Sequence, residues 1–223
     1  MGRSMARSEA VSARERDRHE LVYEEEAVTG DAALVASLNS GDPRAPAALF
    51  DAYGQYVERL LFRVLGPDSE IEDLLHDVFV QALASIGKLR DPARLKDWLA
   101  RMTVFVARGA IRRRRRGRWL VFVPAQELPP QGASTPPYEA RDLLDRVFAV
   151  LRRLRPNDRI AFSLRYIEGL TLPEAADASG VSLATFKRWL KKSDAAFLAL
   201  AERTDQGLHE MLLDTPRWRA TDE

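Results

Sequence analysis

The chain has 223 residues, with 34 Lys and Arg against 33 Asp and Glu, a net charge of +1 and no cysteine. Without cysteine there is no disulfide, no thiolate ligand for zinc or an iron–sulfur cluster, and no thiol nucleophile. His19, His76 and His209 lie far apart, so the sequence predicts neither a metal site nor a cofactor. A composition of 46% hydrophobic and 30% charged residues supports a core and a polar surface. No apolar run approaches the ~20 residues that cross a bilayer. The stretch MGRSMARSEAVSARERDRHE has no apolar middle, so the expectation is a cytoplasmic protein with no membrane insertion.

The first thirty residues carry five Arg and seven Asp or Glu with almost no periodic apolar positions, and residues 1–41 read as a disordered extension. Pro43 and Pro46 then suit a helix start, and Leu49, Phe50, Tyr53, Val57, Leu60, Leu61 and Val64 recur at helical spacing. Gly66-Pro67 stops that helix, and Asp68 or Ser69 is positioned to cap the next. That helix has an apolar stripe of Ile71, Leu74, Leu75, Val78, Phe79, Ala82, Leu83 and Ile86. Asp91-Pro92 opens a third helix, with Leu95, Trp98, Leu99, Met102, Phe105 and Val106 expected to face inward before it runs into IRRRRRGR.

Residues 117–137 hold five of the twelve prolines and read as a linker. Within it, Trp119 to Val123 is apolar enough either to pack on the first domain or to meet a partner. From Tyr138 to Arg203 the helical pattern resumes, leaving 204–223 as a tail. Leu143, Leu144, Val147, Phe148, Leu151 and Leu154 form one stripe; Ile160, Leu164 and Ile167 belong to a second, closed by Gly169. Thr171-Leu172-Pro173-Glu174 has the form of a capping box. Gly180 marks a tight turn, Ser182 a new N-cap, and Phe186, Leu190, Phe197 and Leu200 a further apolar stripe. The predicted fold is all-α: two small helical domains, 42–116 and 138–203, joined by a Pro-rich linker, the second containing a helix-turn-helix.

Three segments carry recognition chemistry. In the helix-turn-helix, Ala176 permits close crossing, Gly180 makes the turn and Phe186 locks the second helix onto the first. The second helix presents Lys187, Arg188, Lys191 and Lys192 without an intervening acid, which suits the DNA major groove, although a solvated basic face has the same pattern. Residues 108–118 contain seven Arg and no acid, a density that calls for an anionic partner such as a phosphate backbone, with a membrane surface or a solvated helix end as alternatives. Residues 66–78 carry Asp68, Glu70, Glu72, Asp73 and Asp77 and no Lys or Arg, and such a face suits a basic protein surface. Carboxylates on an open helix lack the burial that tunes a general acid or base, and the chain holds no phosphate-binding glycine loop or nucleophile elbow. The sequence predicts no catalytic residue.

In this order, the segments resemble bacterial RNA polymerase sigma factors of the two-domain, extracytoplasmic-function type. EDLLHDVFVQAL is similar to the family's core-polymerase-binding helix, and LRYIEGLTLPEAADASGVSLATFKRWLKK to its promoter-reading helix-turn-helix. The resemblance implies that Glu72, Asp73, His76, Asp77 and Val80 meet core RNA polymerase. It assigns Lys88, Arg90, Asp91, Trp98, Arg101, Phe105, Arg108 and Arg112 to the minus-ten element. Ser182, Thr185, Lys187, Arg188, Lys191 and Lys192 fall to the minus-thirty-five element, and an anti-sigma factor or other regulator is implied as a further partner. On this reading residues 42–116 are similar to sigma region 2 and 138–203 to sigma region 4.

The chain departs from the family pattern in VFVARGAIR, where Phe105 and Gly109 stand in a helix that commonly carries Asn and Asp. Trp189 and Asp194 stand where arginines are common. Trp189 is expected either to pack inward or to touch a thymine methyl, and Asp194 to repel a nearby phosphate. The expected function is promoter-specific transcription initiation without catalysis. The rival readings are a helix-turn-helix regulator that never acts as a sigma factor, and a regulatory protein-interaction module.

Overall fold

The structure, a computed structural model, describes residues 30–117 and 138–214, and these hold helices and turns but no strand. The order is α1 (residues 30–40), α2 (Ala45–Leu65), α3 (Ile71–Ser85), α4 (Leu95–Gly117), α5 (Tyr138–Leu151), α6 (Pro156–Phe162), α7 (Leu172–Ser179), α8 (Leu183–Thr204) and α9 (Gln206–Asp214). Short 3-10 turns at Ile86–Lys88 and Pro92–Arg94 carry the chain from α3 into α4. A single π-helical turn, Ser163–Ile167, extends α6. The apolar segment from Trp119 to Val123 lies outside the described residues.

Helix α1 corrects the expectation that residues 1–41 are disordered throughout. Val35 is buried in the core, Leu34 and Leu38 pack beside it, and the Tyr53 hydroxyl donates to Asp31 Oδ1 at 2.6 Å. Burial, followed by that bond to a carboxylate, pushes the Tyr53 phenol far above its ordinary value. The signal was present as a Leu34, Val35, Leu38 cluster, but one helical turn of apolar residues is too little to stand out beside a charged stretch.

Leu49, Val57, Leu60, Leu61 and Val64 of α2 meet Leu74, Val78 and Ala82 of α3 and Leu95, Leu99, Val104, Ala107 and Ala110 of α4 in one core. Four positions of the predicted apolar stripes face outward, Phe50, Leu83, Phe105 and Leu144. Phe105 is 65% exposed and Leu83 36% exposed. Val106, Ala107 and Ala110 set the buried stripe of α4, and Phe105, one residue back from Val106, is rotated about 100° away from it.

The second half closes around Phe148, Leu151, Leu154, Phe162, Phe197 and Leu208. Asp205 accepts two hydrogen bonds from Arg146, at 2.7 and 2.6 Å, tying α9 to α5. The Arg146 guanidinium holds the Asp205 carboxyl down at about 2. The two halves also meet. Ile160, Ala161, Leu164, Ala175, Ala176 and Phe186 join the core built by α2 to α4. Buried Arg159 donates to the Val64 and Leu65 carbonyls at 3.0 and 2.6 Å, and so satisfies acceptors at the end of α2. Gly66, at φ 68°, is pressed against Phe148: a Cβ there would lie 2.7 Å from Cδ1 of that ring.

Phe186 is fully buried where α7, α8 and the first core meet. Phe186→Ala is expected to lower unfolding free energy by about 3–5 kcal/mol, read by urea denaturation. Leu183→Ala, at an exposed position one turn earlier on α8, is expected to stay within about 0.5 kcal/mol of the parent.

Candidate nucleic-acid interface

The helix-turn-helix is built by local bonds that its residue types specify. Thr171 Oγ1 accepts from the Glu174 amide at 3.4 Å, and the Glu174 carboxylate accepts from the Thr171 amide at 2.7 Å, completing the capping box at the start of α7. The bonds from Thr171 hold the Glu174 carboxyl below its usual range. Gly180 takes the left-handed conformation, φ 67°, and the Gly180 and Val181 amides return to Asp177 and Ala176 carbonyls at 2.9 and 3.1 Å. Ser182 Oγ accepts from the Thr185 amide at 3.2 Å and opens α8. Ala176 and Phe186 are buried at the crossing. Lys187, Arg188, Lys191 and Lys192 are all exposed, as is Ser182, while Thr185 is half-buried.

Of the two α8 positions that depart from the family pattern, Trp189 packs against the core, one of its two expected alternatives, whereas Asp194 differs from the expectation. Asp194 does not project toward DNA; it is buried, and Oδ1 has no hydrogen-bond partner. Burial pushes its carboxyl up to about 6, against a smaller lowering by the Tyr166 hydroxyl. It follows α8 into the interior because Ser193, Asp194 and Phe197 share the buried side of that helix. A carboxyl whose folded value is raised stabilises the fold when protonated, so this contribution is present at pH 4 and below and is lost as pH rises through about 6. Thermal melts of Asp194→Asn are therefore expected to lack the part of the pH dependence between 4 and 6 that the parent shows, with the variant no less stable than the parent at pH 7.5. A parent and variant with parallel profiles over that window would refute the assignment. Trp189 is half-buried, with the Arg108 guanidinium 5.4 Å from its ring centre.

Helix α4 carries Arg101, Phe105, Arg108 and Arg112 at spacings of four, three and four, which places them on one face. Arg101 and Arg112 are exposed with Phe105 between them, and Arg108 is half-buried. Burial, then the nearby Arg112, lowers the Arg108 guanidinium. At the start of α4, a cavity of about 260 Å³ is lined by Lys88, Leu89, Arg90, Asp91, Arg94, Asp97, Trp98, Arg101 and Asp177. Five of the eight residues expected at the minus-ten element, Lys88, Arg90, Asp91, Trp98 and Arg101, thus converge on one concavity. Phe105, Arg108 and Arg112 continue from it along the helix.

The arginine run divides. Arg114 donates to Asp68 at 2.8 Å and Glu70 at 2.9 Å, so part of the positive run neutralises part of the acidic run within the fold. Arg112, Arg113, Arg115 and Arg116 remain exposed. On α3, Glu72, Asp73, His76, Asp77 and Val80 are all exposed on one face. Beside them lie two further exposed apolar residues, Leu83 and Phe50, the Phe50 ring standing 5.0 Å from Phe79.

Sequence reasoning did not single out Arg94 or Asp177. Arg94 donates to Asp177 Oδ2 at 2.9 Å, Arg101 Nε to the Asp177 backbone carbonyl at 2.9 Å, and Arg101 also pairs with the Asp177 carboxylate. The one available signal was that Asp177 has no basic residue within a helical turn, which says that its partner is remote without naming it.

A model of Sigma-70 region 2 matches residues 49–117, which contain the acidic face and the α4 cavity, and a model of Sigma-70 region 4 matches residues 144–193, which contain the helix-turn-helix. The chain belongs to the Sigma-70 family of sigma factors. This sigma factor is 29% identical over 165 residues to the extracytoplasmic-function sigma factor SigE of Mycolicibacterium smegmatis, covering 71% of this chain and 59% of the relative. It is 26% identical over 194 residues to BldN of Streptomyces coelicolor, covering 82% and 66%. The sigma factor thus spans less than two thirds of the length of either relative. Its fold is similar to that of CnrH, solved in complex with the cytosolic domain of CnrY, with a TM-score of 0.52 at 24% identity, covering 78% of this chain and 99% of CnrH. It is likewise similar to the sigma factor RpoE of Bartonella quintana, solved with the anti-sigma factor NepR, with a TM-score of 0.51 at 21% identity, covering 73% and 99%.

Proposed function

We propose that this sigma factor binds core RNA polymerase and directs promoter-specific transcription initiation, contributing DNA contacts from both halves and no chemistry of its own. The observation that carries the reading is the separation of charge onto two rigid surfaces: the exposed acidic face of α3 and the exposed basic face of α8. An acidic helix face repels DNA and suits a basic protein surface, whereas Lys187, Arg188, Lys191 and Lys192 project from a capped helix whose dimensions fit a major groove.

On this proposal residues 42–116 form the polymerase and minus-ten domain, and residues 138–203 the minus-thirty-five domain. Glu72, Asp73, His76, Asp77 and Val80 meet the polymerase. The α4 cavity and the Arg101 to Arg112 face take the opened minus-ten strand, its phosphates on arginine and its bases against Trp98 and Phe105. Phe105, being exposed and without hydrogen-bonding groups, contributes stacking or apolar contact there in place of amide readout. The Ser182 to Lys192 face reads the minus-thirty-five duplex. The place of action is the cytoplasm, where polymerase and promoter are, and among the described residues no helix is long and apolar enough to cross a membrane. A regulatory protein of the anti-sigma kind is the further partner.

Competition for polymerase tests the reading. Added to core enzyme already loaded with a different sigma factor, this protein is expected to displace it in proportion to its concentration, as followed by fluorescence of the labelled rival. A helix-turn-helix regulator that does not act as a sigma factor leaves the rival bound.

A further inference from the structure

Helix α8 presents two kinds of surface along its solvent side. Ala184, Lys187, Arg188 and Lys191 stand at spacings of three, one and three, so they share one face, and all four are exposed. Lys187, Arg188 and Lys191 are cationic, whereas the first two helical residues, Leu183, 40% exposed, and Ala184, are apolar. The hydroxyls that flank them are engaged with each other. Ser182 Oγ accepts from the Thr185 amide at 3.2 Å and donates to Thr185 Oγ1 at 3.0 Å, so both residues hold the cap. Trp189, expected from the sequence either to pack inward or to touch a thymine methyl, packs against the core. Among the described residues, Leu183 is the one exposed large hydrophobic of the helix-turn-helix.

In a helix-turn-helix the N-terminal residues of the second helix reach the base edges. A side chain without donors or acceptors discriminates there by fit, and the major-groove group that an alkyl side chain recognises is the 5-methyl of thymine. Ala184, a single methyl on the basic face, lets the helix approach the base edges closely, and Leu183 adds alkyl surface next to it. We propose that Leu183 and Ala184 make the tip of α8 a thymine reader: the 5-methyl of one or two thymines in the minus-thirty-five block packs on these two side chains, while Lys187, Arg188 and Lys191 take guanine edges and phosphates further along the helix. This rests on the reading of α8 as the minus-thirty-five helix, and it leaves Ser182 and Thr185 to position the tip rather than to read bases.

Deoxyuridine differs from thymidine by that methyl alone. Holoenzyme assembled from core RNA polymerase and the full chain selects an upstream block from a randomised duplex pool, and each thymine of the selected block is then replaced singly by deoxyuridine. The parent is expected to lose about three- to fivefold in affinity at one or two thymines, as for the burial of one methyl, and nothing at the others. Leu183→Ala is expected to bind the thymine duplex weaker by a similar factor and to lose the deoxyuridine penalty at a thymine that Leu183 touches. Ala184→Gln places an amide at the tip and is expected, on repeated selection, to exchange thymine for adenine at one position. R188A/K191A is expected to bind more weakly throughout and to keep the full deoxyuridine penalty.

A selected block without thymine, a parent indifferent to deoxyuridine at every thymine, or a penalty of parental size in both Leu183→Ala and Ala184→Gln overturns the thymine reader. If R188A/K191A still loses affinity for the selected block in those cases, α8 remains the minus-thirty-five helix and reads by its cations alone. If selection yields no upstream block, or one that R188A/K191A binds as the parent does, that reading falls and the thymine reader with it.

Discussion

The double charge reversal D73K/D77K is expected to leave the sigma factor folded and to remove its association with core RNA polymerase. Asp73 and Asp77 are both exposed on α3, so neither contributes packing to the core. The cost to the fold is limited to the first turn, where Asp73 faces the positive pole of α3; a lysine there costs about 0.3–1 kcal/mol. At a basic partner surface each reversal replaces attraction by like-charge contact, worth several kcal/mol, and every 1.4 kcal/mol is tenfold in affinity. Two reversals therefore weaken binding on the order of a thousandfold or more, beyond detection in a pull-down, while the thermal melt moves by only a few degrees. Retention of polymerase by the folded variant would remove α3 from the interface.

The second large effect is expected on α8. Arg188 and Lys191 are exposed one helical turn apart, so replacing both with alanine disturbs no packing. A base-edge contact carries about 1–3 kcal/mol of discrimination, and each lost phosphate contact reduces the slope of log affinity against log salt by about one. R188A/K191A is accordingly expected to lower affinity for a minus-thirty-five duplex ten- to a thousandfold. The salt series distinguishes the two kinds of contact: a slope shallower by about two marks phosphate contacts, and an unchanged slope with lost sequence preference marks base readout. A variant that keeps parental affinity, slope and preference would place the duplex elsewhere.

What the sequence discloses and what it conceals divide along a physical line. The capping box at Thr171 and Glu174, the Gly180 turn and the buried lock at Phe186 are specified by neighbours within a dozen residues, and these features are found as expected. The acidic face of α3 is also legible, because an unbroken apolar stripe fixes which side is left for solvent. Contacts between the two halves are a different matter. Arg159 reads as one more surface arginine, yet it is buried on the carbonyls that end α2. Asp194 reads as a charge near DNA and lies in the interior, because its side of α8 is decided by Phe197 and Ser193 together. Asp177 and Arg94 are separated by more than eighty residues, and no periodicity links them. Phe105 was assigned to both the core and the DNA face, and only the register of Val106, Ala107 and Ala110 separates those roles.

The central claim is that one chain supplies both polymerase recruitment and promoter choice. Transcription reconstituted from purified core RNA polymerase, fragmented genomic DNA and this protein, with RNA 5′ ends sequenced, tests it most directly. The account predicts discrete start sites that require the protein and share two upstream sequence blocks, and it predicts that D73K/D77K abolishes them. Start sites indifferent to the protein, in a mixture where it also fails to associate with core enzyme, would contradict it.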